Sequence, residues 1–223
     1  MVQRTVKVVV ILALLMAVVT GSAGASVLTN IGTAKVGADS TAYNLIYDSG
    51  ASLLWLDYTH AYSNWADANA WATTGLSLNT IVTPGYIVDT SGWRLPTTVP
   101  AVVGYNQTGS EMGHLYYTDL GLTAGTSVSA GNQGPFANIL PDWYWSGTEY
   151  ATDPNNAWYF VTFVGHQDAG GKGINGSALA VRPGQLLTSA VPEPSTYFLL
   201  CIGLGAVGYA RRKLKYGQLR MEN

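Results

Sequence analysis

Cysteine is nearly absent: the 223 residues hold one, Cys201. It has no partner within the chain, which excludes a disulfide-stapled mini-protein. Charge is scarce as well. Asp, Glu, Lys and Arg make up 11% of the residues, against roughly 25% in an ordinary soluble domain. Positive charge is scarcest in the middle. Between Ser26 and Val191 four basic residues (Lys35, Arg94, Lys172, Arg182) face eleven acids, which leaves the body at −7. That balance argues against a nucleic-acid-binding domain, because phosphate contacts need a basic footprint. Long apolar runs are limited to one near each end, which excludes a polytopic membrane protein.

The two ends read as addresses. Arg4 and Lys7 precede an apolar stretch from Val8 to Val19, and Ala23-Gly24-Ala25 supplies small residues for cleavage. This is the pattern of a signal peptide over residues 1–25. The alternative, an uncleaved anchor, is disfavoured by the shortness of the run, since a span needs ~20 residues. At the other end Val191, Pro192, Glu193 and Pro194 lead into an uncharged segment, Thr196–Ala210, followed by Arg211, Arg212, Lys213, Leu214 and Lys215. A helix over that segment would reach ~22 Å, short of a ~30 Å hydrocarbon core. The basic cluster would stay cytoplasmic and place the body outside. So short a span suits a transient sorting signal better than a permanent anchor.

The order VPEP, apolar helix, basic cluster resembles the PEP-CTERM sorting signal of Gram-negative bacteria that make exopolysaccharide. The resemblance implies processing near the Pro-Glu-Pro motif by exosortase, a membrane-embedded cysteine transpeptidase. It gives Val191, Pro192, Glu193 and Pro194 the role of sorting motif, and Arg211, Arg212 and Lys213 that of membrane retention signal. The expected division is a signal peptide (1–25), an extracytoplasmic domain (26–190), a sorting signal (191–215) and a cytoplasmic tail (216–223). The expected partners are the secretion translocon, exosortase, extracellular polysaccharide and, before processing, the membrane through the C-terminal helix. The mature protein is expected in the cell envelope, at the cell surface or in the matrix.

The body has room for one core. Ser26–Ser40 reads as an edge strand or tether. Tyr43–Tyr47 and Leu53–Asp57 read as strands split by Asp48-Ser49-Gly50. Ser63 is placed to cap a helix with Trp65, Ala68, Trp71 and Ala72 on one face, ended by Gly75. Ser110 is placed to cap a second, with Glu111 in its first turn, a stripe of Met112, Leu115, Tyr116 and Leu120, and Gly121 as its stop. Thr123–Pro141 is loop-like. Tyr144–Ser146, Ala157–Phe163 and Ala178–Arg182 are strand candidates. Helices in the first half and strands in the second predict an α+β fold in one domain.

Four further segments carry a second resemblance: Gly92-Trp93-Arg94-Leu95-Pro96-Thr97, Tyr144-Trp145-Ser146-Gly147-Thr148-Glu149-Tyr150, Ala157-Trp158-Tyr159-Phe160 and Ala180-Val181-Arg182-Pro183. In this order they are similar to the Lcl C-terminal domain family of bacterial surface domains. The resemblance implies a C-type-lectin-like domain of two helices and short antiparallel strands, with glycan binding or adhesion rather than catalysis. Many members place a cysteine near the arginine of the last strand. Here that position is apolar, so a disulfide-dependent version is absent.

The body holds all seven Trp and eleven of the fourteen Tyr, a composition that suits stacking against sugar rings. Most of these read as core, including Trp93 and Trp158. Trp143, Tyr144 and Trp145, after Pro141-Asp142, are the better surface candidates, with Glu149, Asn155 and Asn156 as polar companions. Arg94 and Arg182 read as structural clamps, with Glu149 and Asp142 as plausible acceptors. Asp153, Asn155, Asn156 and Asp168 offer oxygen ligands for calcium, but no calcium-lectin triplet or EF-hand spacing is present and an Asx-rich turn is the simpler account. No other cofactor is expected. His60, His114 and His166 lack zinc-motif spacing, and His114 reads as a helix-surface residue. Glu111, Asp119, Asp142 and Glu149 include pairs that a glycosidase would need, though any domain with eleven acids offers such pairs by chance. The expectation is a non-catalytic glycan- or exopolysaccharide-binding module. The alternatives are a structural or self-associating matrix component and, more weakly, a carbohydrate-active hydrolase.

Overall fold

Leu53-Leu54-Trp55-Leu56 is apolar at every residue because the strand it opens is covered on both faces. Leu53 and Trp55 enter one core and Leu54 and Leu56 the other. The same alternation divides Leu45 from Ile46, Tyr144 from Trp145, and Ala178 and Ala180 from Leu179 and Val181. A strand's side chains point to opposite faces with period two, so a doubly covered strand loses the apolar–polar alternation of a half-buried one.

The computed structural model describes residues 27–84, 86, 88–99, 101–184, 202–205, 209 and 212. Eight strands are described: β1 (Leu28–Val36), β2 (Tyr43–Asp48), β3 (Leu53–Ser63), β4 (Leu78–Val82), β5 (Trp143–Glu149), β6 (Asn156–Val161), β7 (His166–Gly171) and β8 (Gly176–Pro183). They form one sheet in the order β4-β1-β2-β3-β8-β5-β6-β7. All pairings are antiparallel except the short β5–β8 contact at Tyr144 and Ser177.

The architecture is therefore mainly β, which corrects the expected α+β fold of two helices plus short strands. Helix α1 (Trp65–Ala70) has six residues and α2 (Glu111–His114) four. Each widens into one π-helical turn, Trp71–Gly75 and Leu115–Asp119 respectively. The helical stripes pack into the two cores but are too short to form a layer of their own. Two strands escaped the sequence reading. His166–Gly171 has no apolar period and is held by its pairing with β6, while Leu78–Val82 is a five-residue edge. β1 is not an edge, because β4 covers it. The first helix is capped by Asn64 rather than Ser63; the Asn64 side chain accepts from the Asp67 N–H. Ser110 caps the second as its sequence requires, accepting from the Gly113 N–H at 3.2 Å.

The Gly92–Thr97 segment explains how the sheet is joined. β5 leaves β8 soon after Tyr144, and Arg94 takes the vacated place. Its N–H and C=O exchange 2.9 Å hydrogen bonds with Val181. On the other side Pro96 O accepts from Gly147 N and Ser146 Oγ, both at 2.8 Å. Three of the motifs quoted above thus meet at one seam.

Residues 1–26, the expected signal peptide among them, lie outside the described residues. So do Val191, Pro192, Glu193, Pro194, Arg211 and Lys213. Arg212 is helical and exposed, as are Ile202–Gly205 and Tyr209. Among the described residues no helix is long and apolar enough to cross a membrane.

Candidate functional site

The Trp143–Asn156 region does not form one surface. Strand β5 alternates between two cores. Tyr144 is fully buried on the α2 side, where burial pushes its hydroxyl up to about 12. Trp145 is fully buried on the α1 side, its Nε1 donating to Ser63 O at 3.1 Å. Only Trp143 keeps part of its ring exposed, packed edge-on against Trp145 and Tyr159. A Cβ on Gly176 would stand 2.5 Å from that ring, so the glycine makes the seat. Glu149 is exposed and pairs with Lys172 at 2.7 Å, whose Nζ lies 4.2 Å over the Trp65 ring. Asn155 and Asn156 belong to an Asx turn. Asp153 Oδ1 accepts from Asn155 N and Nδ2, and Oδ2 from Asn156 Nδ2, all at 3.0 Å. The carboxylate is thereby used to shape its own loop.

The four residues assigned to structure divide in two. Trp93 and Trp158 are buried. Arg94 is clamped on Glu111, and Arg182 lies 3.6 Å from Asp89. The acceptors are therefore not Glu149 and Asp142. Asp142 instead accepts from Trp143 N and Ser177 Oγ, both at 2.8 Å.

A different aromatic group does share one surface. Tyr43 on β2, Tyr58 and His60 on β3, and Trp71 in the turn after α1 are each half-buried. Tyr43 meets Tyr58 edge-on at 4.8 Å, Tyr58 lies 5.9 Å from Trp71, and His60 stacks on Trp71 at 4.4 Å within 5° of parallel. The row ends on an exposed carboxylate, because the Tyr43 hydroxyl donates to Asp39 Oδ2 at 2.7 Å. Asp39 is held below the usual carboxylate range, chiefly by the Thr41 N–H and then by Tyr43. The same bond pushes the Tyr43 hydroxyl up. Burial lowers His60, which favours the neutral imidazole that stacks on Trp71 without a charge to solvate. These residues come from three elements, so no local pattern groups them. The available signal was only their identity as aromatics, and Tyr47, Trp55 and Tyr62 on the same two strands share it.

Among the neighbouring carboxylates, Glu111, Glu149 and Asp142 each engage a separate partner, Arg94, Lys172 and Ser177. Asp119 lies with His114, whose Nε2 is 3.4 Å from Asp119 Oδ1. His114 is thus half-buried at the end of α2 rather than a free surface residue.

Comparison with known proteins adds one decisive finding at the C-terminus. Residues 190–213 match the PEP-CTERM protein-sorting motif. The chain carries an exosortase sorting signal. That signal indicates an exported surface protein, made as a membrane-anchored precursor and processed by exosortase. The match spans the Pro192-Glu193-Pro194 motif and the Arg211–Lys213 cluster. No curated protein and no solved structure matches the chain. The resemblance of the body to the Lcl C-terminal domain family gains no support from these comparisons.

Proposed function

We propose that the exported body is a non-catalytic module that binds the extracellular polysaccharide layer through the Tyr43–Tyr58–His60–Trp71 row. The observation that carries the reading is the row itself. Sugar rings present an apolar C–H face that packs on aromatic rings, and the Tyr and His polar atoms with Asp39 supply hydrogen-bonding partners for hydroxyls. The acidic body suits a neutral or cation-bridged polysaccharide better than a strongly anionic one.

The test is binding of the purified chain to native exopolysaccharide and to a glycan array. Trp71→Ala and Tyr58→Ala would be compared with Trp143→Ala, with folding followed by circular dichroism. Weakening of ~10-fold or more in a folded Trp71→Ala protein, with Trp143→Ala unchanged, supports the row as the site. Binding by none of the proteins counts against a glycan module.

A second reading, a self-associating matrix component, rests on a separate surface. Val99, Val102, Val103 and Tyr105 are 64%, 49%, 50% and 47% exposed within a short segment before α2. Exposed apolar residues this closely spaced are uncommon on a protein that stays monomeric. Concentration-dependent sedimentation, abolished by Val99→Ser with Val103→Ser, would favour this reading.

A further inference from the structure

The two ends of the sheet are guarded differently. β7 closes one end, and the Val102–Tyr105 segment lies along it. Gly104 and Gln167 exchange backbone hydrogen bonds at 2.9 Å, and Gln167 Nε2 donates to Val102 O at 2.7 Å. β4 closes the other end, and among the described residues no backbone hydrogen bond reaches its outer side. Edge strands are ordinarily protected by lysine, proline, a bulge or a covering segment. Leu78–Val82 contains no charge and no proline, and its register with β1 runs without a shift.

The direction of its backbone groups is fixed. Thr83 N donates to Ile31 O at 2.9 Å and Gly37 N to Ser77 O at 2.8 Å. Between these bonds the register pairs Thr33 with Ile81 and Lys35 with Asn79. Antiparallel alternation therefore turns Asn79 and Ile81 inward to β1 and leaves the N–H and C=O of Leu78, Thr80 and Val82 facing outward. Gly32 confirms the sense, since a Cβ there would stand 2.4 Å from Ile81 O. The side chains of Leu78, Thr80 and Val82 are half-buried, with Leu78 packed on the core beneath α1, while Asn79 and Ile81 are exposed.

A second copy fits this edge by symmetry. Two β4 strands set antiparallel about Thr80 place Leu78 opposite the partner's Val82 and Thr80 opposite the partner's Thr80. Every outward N–H then meets an outward C=O. Leu78 and Val82 each gain an apolar neighbour across the strands. No charge on one strand faces a like charge on the other, although the body carries eleven acids against four bases. We propose that two copies of the exported body pair through β4 and continue the sheet across a two-fold axis. The same face of the sheet stays uppermost in both copies, so their Tyr43–Trp71 rows face one side. The pairing does not depend on what those rows bind, and it is separate from the Val99–Tyr105 surface.

The test is sedimentation of the full-length chain in detergent over a range of concentrations. Thr80→Pro removes an outward N–H and no bond to β1, the one kind of strand position that tolerates proline. Ile81→Lys adds the charge that guarded edges carry. The expected result is a concentration-dependent wild-type dimer, weakened ~10-fold or more in both variants and unchanged in Val99→Ser with Val103→Ser. A second measurement is oxidative cross-linking in a Cys201→Ser background. Paired Thr80 Cα atoms would lie ~5.5 Å apart, within disulfide reach. Thr80→Cys should therefore cross-link faster than Gly173→Cys in the β7–β8 turn, and it decides the matter if Thr80→Pro fails to fold. A wild-type chain that stays monomeric overturns the proposal. So does a dimer undiminished in folded Thr80→Pro or Ile81→Lys, a dimer lost in Val99→Ser with Val103→Ser, or Thr80→Cys that cross-links no faster than Gly173→Cys.

Discussion

Arg94 holds Glu111 by two nitrogens, Nη1 to Oε2 and Nη2 to Oε1, each at 2.7 Å. The same Glu111 Oε2 accepts from Thr97 N at 2.7 Å, and Glu111 N donates to Thr97 O at 3.1 Å. The pair therefore joins α2 to the segment that fills the seam between β8 and β5. Neither side chain is more than about a third exposed, at 31% and 17%. Bidentate, partly desolvated pairs of this kind contribute more than surface ion pairs.

Glu111→Gln should cost about 2 kcal/mol, since it removes the charge and one acceptor while leaving Arg94 in place. Arg94→Lys should cost about 1–2 kcal/mol, because an ammonium cannot hold both oxygens in a fork. Urea unfolding of the two single variants and the double variant measures the coupling. Additive effects would show that the pair does not act as a unit.

Gly113 is the tightest point of the fold near α2. A Cβ there would lie 1.9 Å from Gln107 O and 2.7 Å from Ser110 Oγ, the capping atom. The first contact is with backbone, which cannot rotate aside. Gly113→Ala should destabilise by about 3 kcal/mol or more, despite alanine's better helix propensity. Thermal unfolding against Gly173→Ala, whose Cβ would meet nothing within 4 Å, separates crowding from a general glycine effect.

Asp57 anchors the long loop between Thr123 and Pro141. It is fully buried and accepts from Ala137 N at 2.8 Å, Asn138 N at 2.9 Å, Asn138 Nδ2 at 3.2 Å and Asn44 Nδ2 at 3.4 Å. Burial pushes its carboxyl up, and the four donors oppose that rise. A raised folded-state value means that the native state holds the proton more tightly than the unfolded chain does. Its stabilising effect is complete below the unfolded value of about 3.8 and is lost as the pH rises through the raised value. Asp57→Asn should destabilise by about 2 kcal/mol at neutral pH, because one amide oxygen replaces two acceptors and the amide NH₂ meets a donor. The gap between wild type and Asp57→Asn should widen as the pH is lowered toward about 4. A gap that narrows would mean that the four hydrogen bonds outweigh desolvation.

Much of the strand pattern was legible because alternation and turn residues act locally. Asp48-Ser49-Gly50 marked a hairpin, Ser110 and Glu111 marked a helix start, and Gly121, with φ +63, marked its end. The Thr123–Pro141 loop was legible as a loop. Its order was not, since it depends on Asp57 and on Val128, Phe136 and Ile139 entering the core. The aromatic segment Trp143-Tyr144-Trp145 misled for a physical reason. In a sheet covered on both faces, the adjacent Tyr144 and Trp145 go to opposite cores and do not reach solvent, which leaves only Trp143 partly exposed. The aromatics that share a surface, Tyr43, Tyr58, His60 and Trp71, are assembled by strand pairing and helix placement, which sequence spacing does not encode. The sorting signal was legible in full because it is read as a linear order of residues.

The central claim is that the exported body engages polysaccharide through the row that ends on Trp71. The most direct measurement is equilibrium binding of the purified chain to native exopolysaccharide, with wild type, Trp71→Ala and Trp143→Ala compared at equal folded concentration. The account predicts saturable wild-type binding, weakening of ~10-fold or more for Trp71→Ala, and no change for Trp143→Ala. Wild-type binding that survives intact in a folded Trp71→Ala protein would contradict it.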